Sequence, residues 1–201
     1  MAPRPDVPLQ AREPRVKSAL DVHHELLARD VPHEMVRLRA SVLAADDLPR
    51  ALDLEPVRCV AVRCYVADDR FTAVLVPAGA VPDPAALLAA TGARALRPAT
   101  DTEVNAATDF AARLVSPVGL PEDVPVLADD AFGGEHVLYA PVGEGGVVLG
   151  IRPADLLRVG RARSVPLTRR ADPAGPPPVD LTRVLDLDAA SRPAPLAPRG
   201  G

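Results

Sequence analysis

Two apolar runs that meet at Asp68 and Asp69 limit most strongly how this chain can fold. Valine, alanine and other apolar residues dominate positions 57–67 and 70–77, and aspartate is a frequent turn residue. This pattern predicts two neighbouring antiparallel strands that are joined by a tight hairpin. We therefore expect at least part of the hydrophobic core to pack against a β-sheet.

Residues typical of helix ends predict helices after the hairpin. Asp83 can cap a helix that has Pro84 at its first position and ends at Gly92. Thr100 and Glu103 have the spacing of a capping box. Further helices are expected over residues 16–29, 41–52 (interrupted at Pro49) and 153–159, and short strands over 33–39, 124–129, 136–143 and 146–152. Because no regular βαβ repeat is present, we expect an α+β domain with a mixed, largely antiparallel sheet.

The distribution of the 24 prolines indicates where the folded part begins and ends. Prolines crowd the first fourteen residues and the stretch after about residue 170, whereas valine, leucine and alanine are concentrated between them. Proline-rich segments of low hydrophobicity do not build a core. We therefore expect a disordered tail over residues 1–15, one folded domain over 16–165, and a Pro-rich disordered tail over 166–201.

Charge and hydropathy exclude some function classes. No run approaches eighteen uninterrupted apolar residues, so neither a membrane span nor a signal peptide is expected. We therefore expect a cytoplasmic location. A net charge of −4 argues against bulk nucleic-acid binding but allows a local basic face. Such a face is suggested by a cluster of arginines at positions 158, 161, 163, 169 and 170. A solvated helix end explains this cluster better than a phosphate-contacting patch, which stays the alternative.

Metal or cofactor binding is not expected. Cys59 and Cys64 are five residues apart in one predicted strand, so their side chains point to opposite faces. The HHELL segment at 23–27 has Ala28 where a zinc helix needs its second histidine ligand. His23 is better explained as a packed residue on the inner face of the first helix.

The stretch VSPVGLP at 115–121, which we call the Ser116 loop, has the composition of a rigid loop. Pro117 and Pro121 fix the path of the backbone, and Gly119 allows a close approach of backbone to a ligand. A pocket wall and a simple connecting turn both fit these residues, and the connecting turn is the simpler explanation. Ser116 has no histidine in its sequence neighbourhood, so we expect its hydroxyl to brace the loop by a hydrogen bond.

The order of these segments resembles that of the YbaK/ProX editing domain over residues 16–160. Its most specific parts are Ser116-Pro117-Val118-Gly119, the upstream Glu103, Val104 and Thr108, and the glycine-containing strand pair PVGEGGVVLGI at 141–151. The resemblance implies a barrel-like sheet surrounded by short helices. It also implies hydrolysis of the ester between an amino acid and the 3′ end of tRNA. By the same resemblance, the Ser116 loop and the turn at Gly143 contact the substrate.

Three positions depart from the family pattern. The family's lysine in the first hairpin strand corresponds to Arg58, within Val57-Arg58-Cys59-Val60. The usual glycine four residues before the loop proline is replaced by Arg113, which is expected to contact the substrate and either to narrow the pocket or to fill it. The serine that the family often has before the glycine-rich turn is replaced by Pro141. These changes leave open a catalytically impaired member that binds an aminoacyl-tRNA end, another small ligand or a protein partner without hydrolysis.

Arg58 is the candidate catalytic residue. Residues 58, 60, 62, 64 and 66 share one face of a strand, and the row is apolar apart from Arg58. We therefore expect Arg58 to enter the same pocket as the Ser116 loop and to act electrostatically, since arginine is no base near neutral pH. A side chain that reaches solvent from a frayed strand end is the alternative. Since the tails are too short for a synthetase catalytic domain, we expect a freestanding, trans-acting aminoacyl-tRNA deacylase.

Overall fold

The computed structural model describes residues 16–168, which contain five α-helices and eight β-strands. The helices are α1 (Ala19–Ala28), α2 (Leu48–Leu52), α3 (Pro84–Thr91), α4 (Asp101–Thr108) and α5 (Pro153–Val159). The strands are β1 (His33–Arg37), β2 (Val60–Ala67), β3 (Arg70–Pro77), β4 (Leu96–Pro98), β5 (Val126–Asp129), β6 (Leu138–Pro141), β7 (Val147–Ile151) and β8 (Arg163–Val165). The tails expected at residues 1–15 and after residue 168 lie outside the described residues.

The strands form two sheets. One has the order β1-β7-β6, and the other has the order β4-β2-β3-β5-β8. The first sheet is antiparallel throughout, whereas β5 runs parallel to both β3 and β8 in the second. An isolated bridge joins Cys59, just before β2, to Tyr139 of β6. Within the described residues the two sheets are separate, and the expected barrel-like sheet is not closed. The predicted α+β class with mixed, largely antiparallel pairing is confirmed.

The hairpin forms at the predicted turn. Asp68 and Asp69 both have positive φ, 44° and 67°, as the two-residue turns that suit a twisted hairpin require. The register pairs Ala67 with Arg70 at the turn and Val60 with Pro77 at the far end. The Asp68 carboxylate accepts the backbone N–H groups of residues 94 and 95, each at 2.9 Å, and so ties the turn to the start of β4.

Helix ends follow the local chemistry of the sequence. Asp83 accepts the N–H of Ala85 at 2.9 Å, and Gly92 ends α3 with φ of 71°. Thr100 and Glu103 form the capping box of α4. The predicted interruption at Pro49 is wrong, because α2 begins at Leu48 and Pro49 lies in its first turn. A proline in the first turn costs no intrahelical hydrogen bond.

The core has two apolar layers, one on each face of the β2–β3 hairpin. Val60, Val62 and Leu75 face the layer that contains Phe110 and Phe132. The opposite layer consists mainly of short aliphatic side chains, among them Ala61, Val74, Val76, Leu87 and Leu167. Cys64 packs on the first layer and Cys59 on the second, as the strand alternation predicts.

The ordered core extends slightly beyond residue 165. Leu167 is 1% exposed, and its N–H donates to the buried Asp129 carboxylate at 3.0 Å. No helix within residues 16–168 has both the length and the apolar character needed to cross a bilayer.

Candidate functional site

The Ser116 loop is a braced, largely buried segment. Ser116 and Val118 are fully buried, and the Ser116 hydroxyl accepts the N–H of Val118 at 3.1 Å. The expected bracing hydrogen bond is thus present. Pro117 and Gly119 border only a very small cavity, of about 10 Å³, against α1 and the end of α5.

Lys17 clamps this loop from the other end of the described chain. Its ammonium donates to the Gly119 carbonyl at 2.7 Å and lies 5.4 Å from the centre of the Phe110 ring. Gly143 has φ of 91°, and its N–H donates to the Leu114 carbonyl at 2.9 Å. A Cβ on Gly143 would clash with the Lys17 carbonyl and lie 2.9 Å from the Phe110 ring. The loop and the Gly143 turn are adjacent, as expected, but they meet in a packed contact and not around an open pocket.

Arg58 lies in a different environment from the predicted one. It belongs to the 3₁₀ turn Pro56–Arg58, whereas β2 begins only at Val60. Its guanidinium carbon is 5.9 Å from the centre of the Tyr139 ring, and the side chain borders a cavity of about 30 Å³ together with His136. The prediction that Arg58 shares a pocket with the Ser116 loop is wrong, because strand alternation does not extend through a 3₁₀ turn.

A larger cavity, of about 300 Å³, opens beside β2. We call it the Arg63 cavity, and it is lined by residues 44–46, 61–65, 98, 99, 101, 104, 112 and 113. Of the predicted site residues, Arg113 lines this cavity. The cavity therefore lies at one end of the segment that leads into the Ser116 loop.

Arg63 is the cation that β2 carries into this cavity. Its terminal nitrogen donates to the Asp46 carboxylate at 2.7 Å, and its side chain is 30% exposed. The same carboxylate oxygen accepts the N–H of Gly79 at 2.8 Å. The same terminal nitrogen also lies 3.4 Å from the Ala80 carbonyl. Since a guanidinium carries five N–H donors, these contacts fix the side chain and leave other donors of the fork unused. Sequence analysis missed this residue.

Arg113 lies at the rim of the Arg63 cavity. Its backbone carbonyl accepts the N–H of Ala45 at 3.1 Å, which joins the loop segment to the opposite wall. The residue is exposed, and its side chain makes no hydrogen bond or ion pair with another residue in the described range. Its φ is not among the positive values, so arginine replaces the family's glycine here without a left-handed backbone.

The edge of β2 is open where it meets the cavity. β4 pairs only with Tyr65, Val66 and Ala67, and the Cys64 carbonyl accepts the N–H of Ala99 at 2.9 Å. Backbone groups of every second residue in a strand point to the same side. The N–H and C=O of Val62 therefore point toward the cavity edge, where they can contact a ligand.

The side chains around the cavity provide no ready nucleophile. Burial raises the pKa of the Cys64 thiol to about 12 and raises the pKa of the Tyr65 phenol, although Arg63 opposes the second shift. Both groups are protonated near neutral pH. No histidine lines the cavity, and within residues 16–168 no three His, Cys, Asp or Glu side chains cluster to hold a metal ion. Neither Cys64 nor Tyr65 is therefore an activated nucleophile.

Comparison with known proteins identifies the family. Residues 40–159, more than half of the chain, match the profile of the aminoacyl-tRNA editing domain. The chain belongs to the aminoacyl-tRNA editing domain family. No curated protein sequence matched the chain.

Solved structures agree with this assignment. A candidate trans-editing enzyme for prolyl tRNA synthetase is 26% identical, with a TM-score of 0.65 over 74% of this chain and 95% of its own. The hypothetical protein APE2540 is 17% identical, with a TM-score of 0.68 over 74% of this chain and 99% of its own, and shows the fold alone. Both structures are covered almost completely by this editing domain.

The sequence did contain a signal that favours Arg63 over Arg58 in this editing domain. The second hairpin strand spans eight residues between the turn and Pro77. A two-residue turn pairs strands of equal length, so the first strand spans residues 60–67. That range includes Arg63 and excludes Arg58. Counting outward from the turn would have identified the cation that β2 carries.

Proposed function

We propose that this editing domain is a freestanding, trans-acting deacylase that hydrolyses the ester of a mischarged small amino acid on tRNA in the cytoplasm. The reaction would take place in the Arg63 cavity. The observation that carries the proposal is a cation on the hairpin strand, at an open strand edge, in a cavity that also includes Arg113 from the segment before the Ser116 loop.

The size of the cavity favours a small aminoacyl group. A volume of about 300 Å³ is at the lower end of the range for ligand pockets. Ala44, Ala99 and Ala112 form much of its wall with Val62. A cavity of this size accepts a short aminoacyl side chain, whereas a long side chain would clash with the wall. In this way the site would select amino acids by size.

Two kinds of donor support the reaction. The guanidinium of Arg63, fixed by Asp46, and the N–H of Val62 at the open edge would polarise the ester carbonyl and stabilise negative charge on its oxygen. Arg113, unpaired at the rim, would hold a phosphate of the terminal nucleotides. The Ser116 loop would serve as the support that places the Arg113 backbone.

Hydrolysis itself needs only water and these donors. The oxygen of a water molecule forms a bond to the carbonyl carbon of the ester, and the bond from that carbon to the ribose oxygen breaks. One proton of the water passes to the ribose oxygen. The products are the free amino acid and a tRNA with an intact 3′ end.

A binding function without hydrolysis is the second candidate, and two observations favour it. Asp46 neutralises Arg63, and arginine at position 113 replaces a glycine of the family pattern. Such a relative would hold an aminoacyl-tRNA end, another small ligand or a protein partner. It would release no amino acid.

Deacylation of a panel of mischarged tRNAs tests the proposal. Ala44→Leu adds bulk to the cavity wall, and Ala106→Leu adds the same bulk to an exposed position of α4. We expect the wild-type chain and Ala106→Leu to release small amino acids, and Ala44→Leu to lose most of this activity. Equal activity of both variants would move the site elsewhere. Absence of hydrolysis with retained binding of aminoacyl-tRNA would favour the second candidate.

A further inference from the structure

A second cavity lies at the turn end of the hairpin and is larger than the first, at about 460 Å³. We call it the Arg70 cavity. Three arginines line it, namely Arg70 from β3, Arg161 from the segment after α5, and Arg163 from β8. We propose that this cavity binds a backbone phosphate of the tRNA whose aminoacylated end occupies the Arg63 cavity. This inference rests on the proposed function.

The charge of the Arg70 cavity suits an anion. In the described range, no carboxylate forms an ion pair with any of its three arginines. Asp68 is the one acidic residue of the lining, and its oxygens already accept the N–H groups of Arg94 and Ala95. Three cations and one engaged carboxylate leave an excess of positive charge.

Two of the guanidiniums are fixed in position. Arg161 donates to the carbonyls of Leu120 and Pro121 at 3.0 and 2.9 Å, and Arg163 donates to the carbonyl of Ala90. Each of these bonds uses a single terminal nitrogen, so further N–H donors of the same fork are available to a phosphate. A cation that is held in place loses little entropy when it binds.

Thr72 adds a neutral donor to the same cavity. The residue is only 3% exposed, and its hydroxyl makes no hydrogen bond to another residue in the range 16–168. A phosphate oxygen in the cavity would provide the missing partner. Guanidinium and hydroxyl donors together are a common combination for phosphate recognition.

The register of the sheet places the two cavities next to each other. Tyr65 pairs with Pro98 on one side and with Thr72 on the other. Tyr65 and Pro98 line the Arg63 cavity, whereas Thr72 lines the Arg70 cavity. Directly paired residues of neighbouring strands have Cβ atoms about 5 Å apart and share one face of the sheet. A nucleic-acid strand that ends in the first cavity can therefore place a phosphate in the second.

The structure divides the arginine cluster at the end of α5 into two parts. A solvated helix end fits Arg158, which is exposed and pairs with Asp155 at 2.8 Å. Arg161 and Arg163 instead leave the helix and line the cavity. Arg169 and Arg170 lie outside the described residues.

Binding of deacylated tRNA tests the site without requiring hydrolysis. Arg70→Gln removes a charge that makes no bond within the described part of the chain, and Thr72→Val removes only a hydroxyl. Arg37→Gln, on an exposed position of β1, is the matched control. We expect Arg70→Gln to raise the Kd roughly tenfold and to lower the salt slope of binding by about one. Thr72→Val should give a smaller loss, and Arg37→Gln should bind as the wild type does.

The outcomes separate this site from the catalytic proposal. Unchanged tRNA affinity and salt slope in Arg70→Gln would overturn the phosphate site. Tight binding of inorganic phosphate to the wild type, with unchanged tRNA binding in both variants, would assign the cavity to a small anion and also overturn it. If the wild type hydrolyses no ester but the variants bind tRNA more weakly, the proposed reaction fails and the phosphate site stands.

Discussion

The Ser116 loop and the Arg63 cavity are neighbours in this editing domain, but they differ in how their polar groups are used. In the loop, polar groups are bonded within the protein: the Ser116 hydroxyl accepts the Val118 N–H, and the Lys17 ammonium donates to the Gly119 carbonyl. In the cavity, part of the Arg63 fork and the whole Arg113 side chain are uncommitted within the described residues. Donors that are not used inside the protein are available to a substrate.

From this difference we infer that the Ser116 loop, the most prominent motif of the sequence, supports the proposed site. Its serine, first proline and glycine belong to a mostly buried path that begins at Leu114, next to the exposed Arg113, and ends at Leu120. The chemistry is expected where that path meets the open edge of β2. Changes in the loop should therefore lower stability, and changes in the cavity should lower activity. Four stability predictions follow from this division, from the largest expected effect to the smallest.

Gly143→Ala should destabilise the domain most. A non-glycine residue at φ of 91° is strained, and the added Cβ would clash with the Lys17 carbonyl. We expect the free energy of unfolding to fall by about 3 kcal/mol. Gly92→Ala is the matched control, because Gly92 also has positive φ but no atom within 4 Å of the added Cβ. Equal losses in urea unfolding would show that the packed contact contributes nothing.

Ser116→Ala should have the next largest effect. The change leaves the buried N–H of Val118 without its partner, and a lost buried hydrogen bond costs about 2 kcal/mol. Thermal unfolding measures this effect, with the exposed Ser41→Ala as the control. A large loss of deacylation with no change in melting temperature would instead make Ser116 part of the reacting site and break the comparison.

Lys17→Met should remove the clamp on the loop. The ammonium is partly exposed, so we expect a loss of about 1 kcal/mol from the bond to Gly119. Methionine keeps the apolar stem that lies near Phe110. Hydrogen exchange of the amides at 116–120 should become faster, whereas exchange in β2 and β3 should not change. Uniform acceleration across the domain would show that Lys17 supports the whole fold and not the loop.

Glu103→Gln should have the smallest effect and a distinct pH dependence. Hydrogen bonds from Arg97, and then from the Thr100 N–H, lower the pKa of Glu103 to about 2. A folded-state pKa below the unfolded value of about 4 gives stability that is present above pH 4 and is lost as the pH falls toward 2. The difference in melting temperature between wild type and Glu103→Gln should therefore shrink over this range. A difference that grows on acidification would contradict the assignment.

Local sequence chemistry explains much of the fold. The Asp68–Asp69 turn, the Asp83 cap, the end of α3 at Gly92 and the capping box of α4 each depend on residues within a few positions of one another. β4 and β8 were not predicted, because three-residue strands have no periodicity and form only against their partners, β2 and β5. The division into two sheets likewise depends on long-range pairing.

The site was less predictable because it also depends on contacts between residues that are far apart in the sequence. Lys17 contacts the Ser116 loop although about a hundred residues separate them in the sequence, and no local pattern predicts that contact. Arg58 was selected because it matches the family's lysine position and because a strand row was extended through Pro56–Arg58, which forms a 3₁₀ turn. Arg63 was missed. Alternation predicts faces only where the backbone is extended, and the length of the partner strand defines that range.

Deacylation rates of Arg63→Ala and Arg58→Ala, measured under single-turnover conditions on the mischarged tRNA that the wild type hydrolyses fastest, test the central claim most directly. The account predicts that Arg63→Ala loses about a hundredfold to a thousandfold in rate, as when one preorganised donor is removed. Arg58→Ala should stay within a few-fold of the wild type once both proteins are shown to be folded. A large loss in Arg58→Ala together with wild-type rates in Arg63→Ala would place the reaction outside the Arg63 cavity and contradict the account.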